Sequence, residues 1–420
     1  MTAHTPRILT DGETALFAAY DAAKPAGFET ARDAAIEALR GSGLPTRRNE
    51  AFHYTDLRAL LRGQYQIAER PSEDAAREIG ARFPRLVEDA AVLHFRDGHY
   101  FDWGEELPAG VSVDAALPDL TDADDAVAQL NTAFATSGAT ITIAQDAEVE
   151  RTVGIAHAHT GAENTIAAMR TTIVAEAGST CRLIDCAVGP DEVLYLHSSV
   201  VDIQIGDKAT VNYVLSIEEG DAAQRLAQLN VSIGAEATLN LFILNAGGKL
   251  VRQEINFDVV GENANLNISG VNLVGGDAHI DVTSSITHHV PHTNAEEVFR
   301  NVATERGNGV FQGQINVRQA AQLTDARMAC NTLLLSDDCG FSAKPELEIF
   351  ADDVQCAHGA TVTDLEDSYM FYLMARGISE NTARRMLIRA FVAEIVEELE
   401  DEALIEALEN RIDIWMERHV

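Results

Sequence analysis

Gly206-Asp207-Lys208-Ala209-Thr210-Val211-Asn212-Tyr213 recurs as Gly234-Ala235-Glu236-Ala237-Thr238-Leu239-Asn240-Leu241 and as Gly261-Glu262-Asn263-Ala264-Asn265-Leu266-Asn267-Ile268. In each copy a small alanine follows the glycine by three residues and a branched apolar residue follows by five. A degenerate copy begins at Gly178, with Cys181 and Leu183 in the apolar places, and the four glycines are spaced by 28, 28 and 27 residues. Short alternating runs precede the last three glycines: Val201-Asp202-Ile203-Gln204-Ile205, Val231-Ser232-Ile233 and Phe257-Asp258-Val259-Val260. Alternation gives a strand one apolar face. A steady period in this range points to coils stacked on one another. Glycine between two strands allows a tight corner at low steric cost, and the small and branched residues suit a narrow core. A parallel β-helix meets all these demands. The competing β-sandwich has no need to keep the distance between turns so constant.

Outward from these repeats the strand texture runs from about Ala139 to Val362. Before it, residues 13–39 carry Leu16, Phe17, Tyr20, Ala31, Ala35, Ile36 and Leu39 at helical spacing, stopped by Gly41-Ser42-Gly43 and Pro45. Ala91 to Phe101 reads as a hairpin about Asp97-Gly98, and Thr121 to Phe134 as a capped helix with Val127, Leu130 and Phe134 on one side. After Asp364 the pattern turns helical. A short helix carries Tyr369, Phe371, Tyr372 and Leu373, Gly377 breaks it, and Ser379 caps the next, with Leu387, Ile388, Phe391, Ile395 and Leu399 in one stripe. The acidic run Glu397 to Glu402 marks a bend before a last stripe of Leu404, Ile405, Leu408, Ile412 and Trp415. The expected organisation is a mixed helical region with a hairpin over 1–137, a mainly-β parallel solenoid over 138–362 and a helical region over 363–420.

The chain has 420 residues, 46% of them hydrophobic, so a sizeable core can be buried. Its net charge of −35 argues against nucleic-acid backbones and anionic membrane surfaces, which need basic patches. No stretch approaches the roughly 20 apolar residues that a membrane span requires. Met1 to Thr10 holds no apolar signal segment, and the cysteines number five. An odd count in an acidic chain without a signal fits a reducing cytoplasm better than a disulfide framework. Cys181 and Cys186 are expected on opposite faces of one strand.

Several groups invite a chemical reading. Cys356 and His358 are two residues apart where strand gives way to helix, so a thiol and an imidazole face one way. Both are ligands for soft or borderline metals, yet two are too few for a closed site. His288, His289 and His292 bracket Pro291 with no acid or thiol beside them in sequence, and a turn is expected there. His157 and His159 alternate along one strand, as a histidine row on a solenoid surface would. A carbohydrate enzyme on a β-helix would need two carboxylates facing across a cleft. Asp352 and Asp353 are adjacent and point apart, and aromatic residues amount to 6%. A phosphate-cradling Gly-x-x-x-x-Gly-Lys-Ser/Thr loop is absent from the sequence.

A series of short motifs carries a resemblance. Pro291-His292-Thr293-Asn294, Phe299-Arg300-Asn301-Val302, Gly309-Val310-Phe311-Gln312-Gly313, Leu333-Leu334-Leu335-Ser336-Asp337, Lys344-Pro345-Glu346-Leu347-Glu348-Ile349, Cys356-Ala357-His358-Gly359 and Ala375-Arg376-Gly377-Ile378 follow in order. Together with Leu44-Pro45-Thr46-Arg47-Arg48-Asn49-Glu50 they closely resemble the SufB/SufD family of iron–sulfur cluster assembly proteins. His358-Gly359 and Leu387-Ile388-Arg389-Ala390-Phe391 resemble its SufD branch. Ala375, where many relatives have Ser, departs from the pattern.

The resemblance implies a right-handed parallel β-helix between helical ends. It also implies a cytoplasmic, non-enzymatic subunit of a SUF-type complex, pairing with a SufB-like scaffold and a SufC-like ABC ATPase, and a homodimer when alone. The ATPase would bind the C-terminal helical region, here Tyr369, Phe371, Arg376, Arg384, Arg385 and Arg389; the alternative for the arginines is a solvated face. No cofactor would be held stably by the lone chain. A transient iron–sulfur cluster would form at the junction with the SufB-like partner, where His358 is the expected contribution. Cys356 is either an assisting thiolate or a small buried residue. Cys339 falls near the place of the scaffold's cluster cysteine and is either a turn thiol or part of one cluster-facing patch with His358.

Overall fold

The computed structural model describes residues 8–82, 86–120, 125–399 and 401–420. Over them the repeats stack in the register that their alignment implies. Thr210, Val211, Asn212 and Tyr213 pair with Thr238, Leu239, Asn240 and Leu241, and these with Asn265, Leu266, Asn267 and Ile268, all in parallel. Successive strands alternate between two sheets of ten strands each, so each pair of strands is one coil of a flattened parallel solenoid. Among the described residues the coils supply eight strands to each sheet, from Ser137–Ile143 to Gly340–Ile349 in one and from Val153–Ala158 to Gln355–Asp364 in the other. Parallel pairing throughout the coils excludes the sandwich.

Val211, Leu239 and Leu266 are buried one above the other between the sheets, as are Tyr213, Leu241 and Ile268. Full burial of such side chains stabilises the fold by about 1.5–3 kcal/mol each. Polar ladders run beside them. The Asn240 amide donates to Asn212 Oδ1 and that of Asn267 to Asn240 Oδ1, both at 2.8 Å. A second ladder, Asn245 to Asn272 to Asn301, is buried, with both steps at 2.7 Å.

The corners correct one detail of the repeat. Cys181 and Leu183 pair with Val211 and Tyr213, not with Ala209 and Val211 as the glycine spacing implied, and Gly178 does not correspond to Gly206. The register aligns it with Lys208, and both adopt left-handed backbone, φ 72° and 61°. Glu236 and Asn263 share that conformation. The step from Thr180 to Thr210 is thus two residues longer than the glycine spacing suggested. Gly206, Gly234 and Gly261 are needed for another reason: the coils touch there. A Cβ on Gly261 would stand 1.9 Å from Ala235 N and one on Gly206 2.7 Å from Ala177 N.

Helices cover the outside of both sheets. Asp11–Ala22, Glu29–Ser42 and Ala126–Phe134 bury Leu16, Tyr20, Ile36, Leu39 and Phe134 against Ile166, Leu196, Leu226 and Leu250 on the first sheet. Asp125 caps the last of these helices, donors being Val127 N–H and Ala128 N–H; the expected start at Thr121 lies outside the described residues. The hairpin Ala91–Arg96 and His99–Phe101 forms as expected, and its first strand extends the second sheet beside Val153–Ala158. The segment that follows Pro45 ties the helices to the coils. Arg252 donates to Ala51 O at 2.8 Å and lies over the Phe52 ring, while Thr55 donates to Asp281, itself paired with Arg252. On the second sheet Glu380–Val396 and Glu402–His419 fold back so that Ile388, Val392, Ile395, Leu404, Leu408, Ile412 and Trp415 cover Ile184, Val214, Phe242, Leu273 and Val302. Cys181 lies inside the solenoid and Cys186 on this outer face.

His157 and His159 are not on the surface. Both are buried, His157 against Asp185 at 3.0 Å and His159 stacked on Tyr195 with ring centroids 3.7 Å apart. His197, Glu219 and Arg225 complete a polar interior, with His197 Nδ1 2.8 Å from Glu219 and Arg225 3.2 Å from it. These partners hold the Glu219 carboxyl down at about 2 against the effect of burial, while burial and the Arg225 charge push His197 down to about 4.

Candidate functional site

Both sheets end in the same coil. Gly340–Ile349 pairs on one side with Asn308–Val317, and Gln355–Asp364 on one side with Asp325–Leu334. Their other edges carry no strand among the described residues. The interior is therefore cut open here: Gly340–Ile349 is mostly half-buried, and Gln355–Asp364 mostly exposed.

Cys356 and His358 stand on this open coil. They pair with Ala326 and Met328, which are buried in the interior. Alternation directs both side chains inward along the same lines. Cys356 is half-buried against the core, and burial raises its thiol pKa above the usual value. His358 is exposed, and its imidazole makes no hydrogen bond or ion pair among the described residues. The column beneath it is Met328 and then Glu297, which is wholly buried beside the Ser284 hydroxyl with no hydrogen bond of ordinary geometry to either carboxylate oxygen; burial outweighs that hydroxyl and pushes the carboxyl up to about 7. Glu297 occupies an inward place, between Ile268 and Met328, that the repeat reserves for an apolar residue, and no local sequence pattern marks it as buried.

Cys339 is not beside His358. It lies in the turn before Gly340, where its thiol donates to Ala303 O at 3.3 Å and Ser336 O at 3.1 Å. Ala303 pairs with Leu334, six positions along the strand from Met328, the partner of His358. Six residues of strand span about 20 Å. Within one chain, then, Cys356 and His358 share a face and Cys339 marks the far end of the same edge. Among the described residues no three His, Cys, Asp or Glu side chains are placed to hold a metal ion. The 288–292 histidines diverge: His288 is buried on Thr293 at 2.8 Å, His289 pairs with Asp258 at 2.8 Å, and His292 forms a left-handed corner.

The second group of candidate residues lies just beyond this coil. Asp367–Ala375 buries no residue, and Phe371 is 74% exposed, with Tyr369, Tyr372 and Met374 also exposed. Phe371, Met370 and Met374 line a cavity of about 470 Å³ against Leu334, Leu335 and Leu365. An exposed apolar group of this kind marks an interaction surface more often than a solvated one. The arginines do not act alike. Arg389 is held by Glu409 at 2.7 Å and Asp413 at 3.1 Å, which joins two helices of this chain, and Arg384 pairs with Glu380 at 3.5 Å. Arg376 lies 4.8 Å over the Tyr372 ring, and Arg385 is half-buried with its Nε unpartnered among the described residues. No described helix is long and apolar enough to cross a membrane.

The family model for the SUF system FeS cluster assembly SufBD core domain matches residues 157–391, and that for the SufBD protein N-terminal region matches residues 16–79. The iron–sulfur cluster assembly protein SufD of Escherichia coli is 28% identical over 379 residues, 88% of this chain and 89% of its own. An iron–sulfur cluster assembly SufBD family protein of Synechocystis is 26% identical over 382 residues, 85% of this chain and 84% of its own. The chloroplastic protein ABCI7 of Arabidopsis thaliana is 29% identical over 245 residues, 58% of this chain and 52% of its own.

Proposed function

Because the chain belongs to the SufBD family of SUF-system iron–sulfur cluster assembly proteins, we propose that it is the SufD-like, non-enzymatic subunit of an assembly complex and offers His358 to a cluster that forms against a SufB-like scaffold. The observation that carries this reading is the open last coil. Among the described residues, a thiol and an unpartnered imidazole face one way on a strand whose outer edge carries no strand, and no third ligand completes the set. A partner strand laid on that edge would supply further ligands, with thiolate suited to iron and imidazole able to take one iron position. The cluster is cargo here, held only while the two chains are joined. Cys356 is an assisting thiol in this reading, and Cys339 stands outside the site. The exposed face of Asp367–Ala375, with Phe371 at its centre and Arg376 and Arg385 beside it, is the docking surface for a SufC-like ABC ATPase. Arg389 is left out of that surface in this reading, because it pairs with Glu409 and Asp413 of the neighbouring helix.

Coexpression with SufB-like and SufC-like partners tests both halves. The His358→Ala chain assembles a complex of normal composition that fails to develop cluster absorbance on reconstitution with iron and sulfide. Normal cluster formation by that complex would refute the role of His358. Phe371→Asp leaves the scaffold bound and loses the ATPase from the purified complex; retention of the ATPase would place its contact elsewhere.

A further inference from the structure

On the outer face of the second sheet, far from the open coil, lies a cavity of about 440 Å³. Its floor is the first strands of that sheet, where Gly154 and Ala156 leave room beside His94 and Arg96. Helix Glu73–Arg82 forms one wall, and Trp103 and Ile184 line it as well. The volume and the mixture of apolar surface with few polar groups suit a small organic molecule.

Arg96 decides which kind. It is 2% exposed. Its guanidinium donates to Ala76 O at 3.1 Å, Phe95 O at 2.7 Å and Ala156 O at 2.9 Å, and its Nη2 lies 3.3 Å from His94 Nδ1. These contacts satisfy N–H groups but bring no negative charge. The neighbouring Asp97 is turned to Thr160 and to His159, and no carboxylate pairs with Arg96 among the described residues. Burial lowers Arg96 to about 10, which still leaves it charged at neutral pH. The other charges at the cavity are matched. Glu105 pairs with Arg151 at 3.1 Å, and Arg77 stands 4.0 Å from Glu73, which accepts from Trp103 Nε1 at 2.9 Å. Gly80 makes space for the guanidinium, since a Cβ there would lie 2.6 Å from Nη2. The Trp103 ring rests 4.3 Å from His94, with Arg96 5.3 Å and Arg77 4.6 Å from its centroid. Asp97 therefore acts on Arg96 only through space; a buried cation with no carboxylate in contact among the described residues is costly, and in a chain of net charge −35 it stands out.

We propose that this cavity binds a small organic anion, its carboxylate or phosphate at Arg96 and its planar or apolar body between Trp103 and the Gly154–Ala156 floor. Isothermal titration of the full chain tests this with three probes of similar body: 2-naphthoate, 1-naphthyl phosphate and the neutral 2-naphthol. At least one anion binds at a single site, at least ~10-fold more tightly than 2-naphthol, as a charge-assisted contact to a buried guanidinium requires. The ratio of the two anion affinities tells which head group the site prefers. Ala156→Leu fills the floor while keeping the backbone carbonyl that accepts from Arg96, and it weakens the anion at least ~10-fold with the folded state retained in a melting curve. Arg96→Met abolishes the preference for anion over 2-naphthol; should that variant fail to fold, Ala156→Leu and the neutral probe decide the matter. Absence of saturable binding by both anions at millimolar concentration would overturn the proposal. So would equal binding by 2-naphthol, or anion binding unchanged in Ala156→Leu.

Discussion

Glu297 and His197 show what single titratable residues do inside a solenoid. Glu297 has its pKa raised from the usual carboxyl range to about 7, and His197 has its pKa lowered to about 4. The signs differ in effect. With its folded pKa above the unfolded one, Glu297 favours the native state most below about pH 4.5, and that contribution is lost as pH rises through 7. For His197 the unfolded state takes its proton first, so stability falls as pH drops from about 6.5 towards 4, and Glu219, held at about 2, adds to the loss below about 4.5. Replacing Glu297 by Gln should therefore stabilise the protein more at pH 8 than at pH 5, by a difference on the order of 2–3 kcal/mol. Urea unfolding of parent and variant at the two pH values measures it; a difference independent of pH would contradict the burial of an uncompensated carboxyl. Neither residue was legible as buried. Alternation tells two faces of a strand apart, but when helices cover the outer face as well, both faces read alike.

At the scale of elements, the corner glycines and the terminal coil make opposite demands. Gly261 lies where two coils touch, whereas a Cβ on Gly359 would meet nothing within 4 Å. Gly261→Ala should cost on the order of 2–4 kcal/mol, because backbone on both sides must shift. Gly359→Ala should fall within about 0.5 kcal/mol of the parent. Chemical denaturation of both variants checks this, and equal stabilities would mean that the corners yield. The glycine spacing was legible because stacking requires it. The shift of Gly178 by two places was not, since a left-handed corner accepts Gly178, Lys208, Glu236 or Asn263. The C-terminal stripes were legible in part: Ile388, Ile395, Leu404, Leu408, Ile412 and Trp415 are buried as their spacing implies, but Leu387 and Phe391 are only half-buried. Amphipathic spacing gives a helix its apolar side and leaves the centre of that side to the partner surface.

At the scale of the whole molecule, helices cover both outer faces and leave one end bare. Among the described residues both sheets have an unpaired edge there, which invites a strand from another chain, and net charge opposes two copies approaching each other. The isolated chain should therefore self-associate through the last coil, weakly at low salt and more strongly as screening increases. Light scattering at two salt concentrations tests this. Val362→Pro should keep the protein monomeric at both, and a dimer unaffected by that change would have another interface. The amino-acid sequence by itself determined the stacked parallel coils, the helical ends and the common face of Cys356 and His358. Each of these follows from local periodicity: a strand repeats every second residue and a coil must repeat its corner. Tertiary structure alone decided that His157 and His159 are internal, that Cys339 lies about 20 Å of strand from His358, that Arg389 binds its own chain and that Arg96 is buried with no carboxylate paired to it among the described residues. Those outcomes depend on which surfaces meet across long separations in sequence, and the period of a single strand or helix carries no record of its partner.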